Sequence, residues 1–201
     1  MNRKLLRMTL VGLVALVVLA AIWPSLSAAV GFKLENTGEQ HSNKYNQAIS
    51  GACTPRHQGV TLVVDFGSLL PNSKPLVRCA TSSKTKLTGW TLFAASGFRV
   101  AGTSDYPTGF VCRINGYPTR AQQDCQHTPN SVEGTWVYYT AGSISSVPVA
   151  KSFFRTWHFS PMGASMSAPI CGDYQGWRFV KLSDGKGPLL PRYSPRPFTC
   201  E

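Results

Sequence analysis

Six cysteines, at positions 53, 79, 112, 125, 171 and 200, set the strongest limit on what this chain folds into. Their number is even and no two lie closer than 13 residues. Zinc ligands usually come in pairs two to four residues apart, so the spacing speaks against a metal-ligand set. Well-separated cysteines in even number read instead as a disulfide framework, which persists in oxidising compartments. Fifteen pairings are open to six cysteines. The expected one joins nearest neighbours: Cys53 with Cys79, Cys112 with Cys125, and Cys171 with Cys200. Each bridge would contribute on the order of 3 kcal/mol by restricting the unfolded chain.

The N-terminus agrees with that compartment. Arg3, Lys4 and Arg7 precede an apolar run from Met8 to Trp23, and Pro24 is followed by the small residues Ser25, Ser27, Ala28 and Ala29. This order predicts a secretory signal peptide over 1–29. The run is shorter than the roughly 20 apolar residues that cross a bilayer comfortably, although an uncleaved anchor is the alternative. Removing the segment leaves one domain's worth of chain and lowers the formal charge from +11 to +8. The remaining cations are scattered singly. A nucleic-acid footprint needs them clustered on one face, so no nucleic-acid partner is expected.

Residues 30–52 are polar and read as a linker or arm. From Cys53 onward, short β-branched and aromatic runs predict strands: 60–66, 76–79, 98–100, 109–114, 135–140, 153–159 and 176–180. Asn115-Gly116 is a turn signal. Leu87, Trp90, Phe93 and Ala94 fall at helical spacing before Gly97, predicting one amphipathic helix over 86–97. Strands with one segregated helix indicate an α+β fold of antiparallel sheets, stapled by disulfides over 53–182. A tail rich in Pro and Gly, 183–201, would be tied back by Cys200.

Catalytic patterns are sparse. Asp65 and Glu133 are nominal candidates for the carboxylate pair of a cell-envelope hydrolase, but no local motif accompanies them. The four histidines show no i, i+4 pair, and Gly-x-Ser-x-Gly does not occur. Aromatic residues in the second half carry more information. Trp136, Tyr138, Tyr139, Trp157 and Trp177 are candidate ligand-binding residues, since such rings stack on planar ligands or sugars. On a two-faced strand, either Trp136 and Tyr138 or Val137 and Tyr139 must point away from the helix-covered core.

The blocks 59–66 (Gly-Val-Thr-Leu-Val-Val-Asp-Phe), 77–80 (Val-Arg-Cys-Ala), 109–118 (Gly-Phe-Val-Cys-Arg-Ile-Asn-Gly-Tyr-Pro), 136–139 (Trp-Val-Tyr-Tyr) and 176–179 (Gly-Trp-Arg-Phe) follow one another in order. The series resembles a group of small exported actinobacterial proteins whose core is similar to the C-terminal domain of transcobalamin and intrinsic factor. The resemblance covers roughly residues 53–181. It implies a β-grasp-like fold and a secreted or cell-surface ligand-binding module. The implied ligand is a corrinoid or another large planar cofactor, and the implied partner is a membrane transporter or an envelope protein. Two departures stand out. Tyr139 ends an aromatic block that would read Trp-x-Tyr-Trp, and 143–152 is rich in Ser and Val where Gly would be typical. The chain also has no counterpart of the helical barrel that completes the carriers' site. A purely structural surface protein is a further alternative.

Overall fold

The computed structural model describes residues 48–81, 86–142 and 156–201. The expected signal peptide, most of the arm and residues 153–155 of the expected strand lie outside them. Among the described residues, no helix is long and apolar enough to cross a membrane.

Eight strands form: β1 (Ala48–Ser50), β2 (Gly59–Asp65), β3 (Leu76–Thr81), β4 (Val100–Gly102), β5 (Val111–Ile114), β6 (Thr135–Ala141), β7 (His158–Phe159) and β8 (Tyr174–Val180). Six of them make one sheet in the order β1-β3-β2-β8-β6-β7, and β4 and β5 make a separate hairpin. Order therefore reaches back to Ala48, inside the expected arm, because β1 pairs with β3.

The sheet is mixed, which corrects the antiparallel expectation. β2 and β8, its two central strands, run parallel from Thr61 opposite Tyr174 to Asp65 opposite Arg178. Parallel pairing needs a long connection between its strands, and here nearly the whole domain lies between them. No local sequence signal reports such a partner. β2 shows the consequence of a central position, being buried at all seven residues.

The expected helix shrinks to α1 (Thr91–Ala95). Its start is fixed by two threonines that cap each other: Thr88 Oγ1 accepts from the Thr91 N–H at 3.1 Å, and Thr91 Oγ1 accepts from the Thr88 N–H at 2.8 Å. Leu87 precedes this turn, Trp90 already has helical dihedrals at its start, and both are part-buried against the core. Leu92, Phe93 and Ala95 form its inner face, while Ala94, expected inside, is exposed. Gly97 takes the predicted left-handed C-terminal conformation at φ +74°.

The two sheet faces are closed differently. On the first, Val60, Leu62, Val64, Trp136, Tyr138, Trp177 and Phe179 pack against Leu92 and Phe93 of α1 and against Val111 and Ile114 of β5. Val63, Tyr139, Ala141, Trp157 and Tyr174 cluster on the second with Tyr193 of the tail. Val137 and Tyr139 therefore do point away from the helix. All three bridges join nearest neighbours, Cys53–Cys79, Cys112–Cys125 and Cys171–Cys200, and the last ties the tail back. Three such bridges fit an oxidising, extracellular setting.

The tail has no strand but is firmly held. The Asp65 carboxylate, fully buried at the end of β2, accepts from Arg192 Nη2 at 2.7 Å, the Arg192 backbone N–H at 2.8 Å and the Gly67 N–H at 3.0 Å. Tyr139 Oη donates to Leu189 O at 3.1 Å, and Trp157 Nε1 donates to Tyr193 O at 2.6 Å. Gly176 makes this closure possible. A Cβ there would lie 2.7 Å from the Trp157 ring and 3.1 Å from Pro191.

Candidate functional site

The five aromatic candidates divide between the two faces. Trp136, Tyr138 and Trp177 lie on the helix side and Tyr139 and Trp157 on the tail side, and each is 4–7 % exposed. They do not line one common cleft. Each set borders a separate cleft, and the two clefts flank the short edge strand β7.

The helix-side cleft has a volume of about 420 Å³. Trp136 and Tyr138 of β6 and Trp177 of β8 border it because residues two apart on a strand share a face. Tyr138 stands opposite Trp177, and their rings stack with centroids 4.5 Å apart and an interplanar angle of 12°. Phe110 and Val111 bring in the wall at the start of β5, and Met162 and Phe159 complete the lining, Phe159 being shared with the tail side, where it pairs with Tyr139 and meets its ring edge-on. Phe159 is 71 % exposed and Met162 48 %, large apolar side chains left in water beside an aromatic wall. The indole N–H groups of Trp136 and Trp177 are buried without an acceptor among the described residues.

A smaller pocket of about 110 Å³ shares the Ser160-Pro161-Met162 wall with this cleft. Its remaining lining mixes Thr140, Ser167, Asp173 and Gln175 with Ala141, Gly142, Ala168 and Pro169. The Tyr138 ring borders the cleft, while its hydroxyl donates to Gln175 Oε1 and lies 2.9 Å from Ser167 Oγ. Burial pushes the Tyr138 phenol up to about 12, and the nearby Asp173 carboxylate adds to the rise while the Ser167 contact opposes it. The phenol is therefore neutral at physiological pH and serves as a fixed dipole. Gly89 gives the hydroxyl room, since a Cβ there would fall 2.4 Å from Tyr138 Oη.

On the tail side a cleft of about 540 Å³ is bordered by Tyr139, Trp157, Phe159 and Leu190. Much of its wall comes from the irregular stretch 185–190, so its shape depends on the tail, whereas sheet and hairpin shape the helix-side cleft.

The two nominal carboxylates take structural positions. Burial by itself would raise the pKa of Asp65, but the Arg192 side chain and N–H and the Gly67 N–H more than offset it and hold the carboxyl below its usual range. With no exposed surface, Asp65 meets no substrate. Glu133 accepts from the Asn130 N–H at 2.9 Å and orders the turn before β6. Among the described residues no cluster of three His, Cys, Asp or Glu side chains forms a cation cage.

Sequence reasoning missed Met162, the smaller pocket and Gly89. The stretch 159–163 (Phe-Ser-Pro-Met-Gly) carries a usable signal, two large apolar residues in a Pro- and Gly-bearing loop. Nothing in one sequence places that loop beside Tyr138. No family model, curated protein or solved structure matches this chain.

Proposed function

We propose that this chain is an exported, non-enzymatic binding module of β-grasp-like build that holds a flat, apolar-faced ligand in the helix-side cleft. The carrying observation is the open cleft of about 420 Å³, bordered by a stacked Tyr–Trp pair and rimmed by exposed Phe159 and Met162. A concave, mostly apolar space with aromatic walls and few polar groups is the usual form of a small-molecule site. The β-grasp-like reading is supported by strand order. A hairpin (β2, β3), a helix, and then β6 and β8 place the first and last of these strands side by side and parallel.

The volume lies near the lower end for ligand pockets, so the cleft takes one edge of a large ring system such as a corrinoid. A second protein would cover the rest, which fits an accessory of an uptake transporter or an envelope partner. Tryptophan fluorescence of the secreted protein, titrated with corrinoids and with cell-wall sugars, tests the reading. A saturable shift with a planar ligand is expected, weakened about tenfold or more by Phe159→Ala with Met162→Ala, a loss typical of removing aromatic anchors. The absence of a saturable signal with every planar ligand would sink it.

A further inference from the structure

The large sheet ends beside β6 with an edge that is only partly covered. β7 pairs with β6 at Tyr139 and Thr140 alone. The Tyr138 C=O still accepts from the Ser160 N–H at 2.9 Å, so the Tyr138 backbone faces away from β8. Alternation along an antiparallel strand turns the N–H and C=O of Trp136 to the same outer edge. A continued β7 would set Met162 opposite Trp136. Instead Ser160 Oγ takes up both backbone groups of Met162, donating to its C=O at 2.8 Å and accepting from its N–H at 3.4 Å. Among the described residues, neither Trp136 nor the Tyr138 N–H has a backbone partner on this edge.

The clefts of the two faces meet here. Thr135, Val137 and Phe159 border both of them. Consecutive side chains of a strand point to opposite faces, so a hollow that touches Trp136 and Val137 alike lies at the strand's margin. Open N–H and C=O groups in a row match one kind of partner, an added β-strand. We infer that this edge receives an extended segment of a second protein, laid in line with β7. Successive side chains of that segment enter opposite clefts, one beside Phe110 and Met162, the next beside Leu182 and Leu190. Charge selects the partner. Among the described residues no Asp or Glu borders either cleft, Lys181 stands at the tail-side one, and the chain beyond residue 29 carries a formal +8. The segment is therefore apolar with acidic ends, and a second copy of this basic chain is repelled. The inference goes beyond the ligand reading, because it rests on the backbone edge.

A fluorescein-labelled peptide, Glu-Val-Phe-Val-Leu-Glu, titrated into the secreted protein and followed by fluorescence polarisation tests this. Saturable binding is expected. Two versions N-methylated at alternate residues, one in each register, separate strand pairing from apolar contact. The version that loses its edge-facing N–H groups binds about tenfold weaker, the scale of one or two hydrogen bonds, and the other binds like the parent. Amide hydrogen exchange at Trp136 and Tyr138 slows when the parent is bound. Lys181→Glu weakens the parent and strengthens its Lys-ended counterpart, with near-ultraviolet circular dichroism reporting the fold. No saturable binding, or equal affinity of the two methylated versions, overturns the inference. So does slow exchange at both amides before any peptide is added, because this chain or a second copy then already covers the edge. Each of these failures leaves the planar-ligand titration standing.

Discussion

The helix side of the sheet buries a larger aromatic cluster than the tail side, and the two faces are closed by different means. On the helix side, Leu92, Phe93, Val111 and Ile114 press on the sheet from ordered elements, and closure is apolar contact. The tail side is closed by an irregular strap held at named points: an ion pair from Arg192 to Asp65, hydrogen bonds to Leu189 O and Tyr193 O, and the Cys171–Cys200 bridge. Apolar packing is non-directional and spreads its stabilisation over many atoms. A strap without regular structure depends on a few directional bonds, so it can be loosened one bond at a time. The difference shows that a domain can complete its core with a segment that has no secondary structure of its own, provided covalent and ionic anchors substitute for a second layer.

The largest expected effect tests the apolar side. Phe93→Ala should lower stability by roughly 4 kcal/mol, about 10 °C in thermal midpoint, because Phe93 is wholly buried against Trp177. Loss of the near-ultraviolet dichroism of the Tyr138–Trp177 stack should accompany it. If Phe93→Ala melts like the native chain, the helix side is not the main core.

Removing the covalent anchor comes next. Cys171→Ser with Cys200→Ser should cost about 3 kcal/mol by loop entropy. The specific expectation is early tryptic cleavage at Lys186 and Arg192 while the Tyr138–Trp177 dichroism persists. Simultaneous loss of both signals would show that the two faces fold as one unit and would erase the contrast.

Arg192→Ala should cost roughly 2 kcal/mol, since it strands a buried carboxylate but Arg178 still approaches Asp65 at 3.7 Å. Arg192→Lys should recover part of this, because it keeps the charge and loses the forked geometry. Equal midpoints for Ala and Lys variants in urea would argue that charge at this position is irrelevant.

The smallest effect is in acid. The folded pKa of Asp65 is depressed below its ordinary value of 3.8, so its contribution is fully present above that value and is lost as pH falls through the folded pKa. Stability measured between about pH 5 and pH 2 should therefore fall, and Asp65→Asn should flatten that window. Identical slopes for the two proteins would remove the ion pair from the account of the strap.

Several features were readable in advance for local physical reasons. Period-two alternation in Trp136-Val137-Tyr138-Tyr139 required two faces whatever the fold. The bridging pattern was legible because in this chain each cysteine pairs with its neighbour in sequence. Asn115 and Gly116 both take positive φ, +50° and +86°, as the turn signal required. By contrast, the helix was overread. Trp90 does share the helical face, with helical dihedrals and a ring contact to Phe93, but the turn begins only at the Thr88–Thr91 hydrogen bonds and ends after Ala95. The candidate aromatics were found as residue types, but their division between two clefts was not, because a strand pattern gives alternation and not the identity of what lies opposite.

Sequence alone determined the oxidising chemistry of the chain, the strand-rich composition and the turns, since each depends on residues close together or on residue type. Tertiary structure alone decided the parallel pairing of β2 with β8, the burial of Asp65 by a residue 127 positions away, and the meeting of Ser160, Ser167 and Gln175 around Tyr138. Those outcomes depend on which distant segments can share one hydrophobic sheet without leaving polar groups unpaired. That competition among long-range contacts leaves no mark on any short stretch of chain.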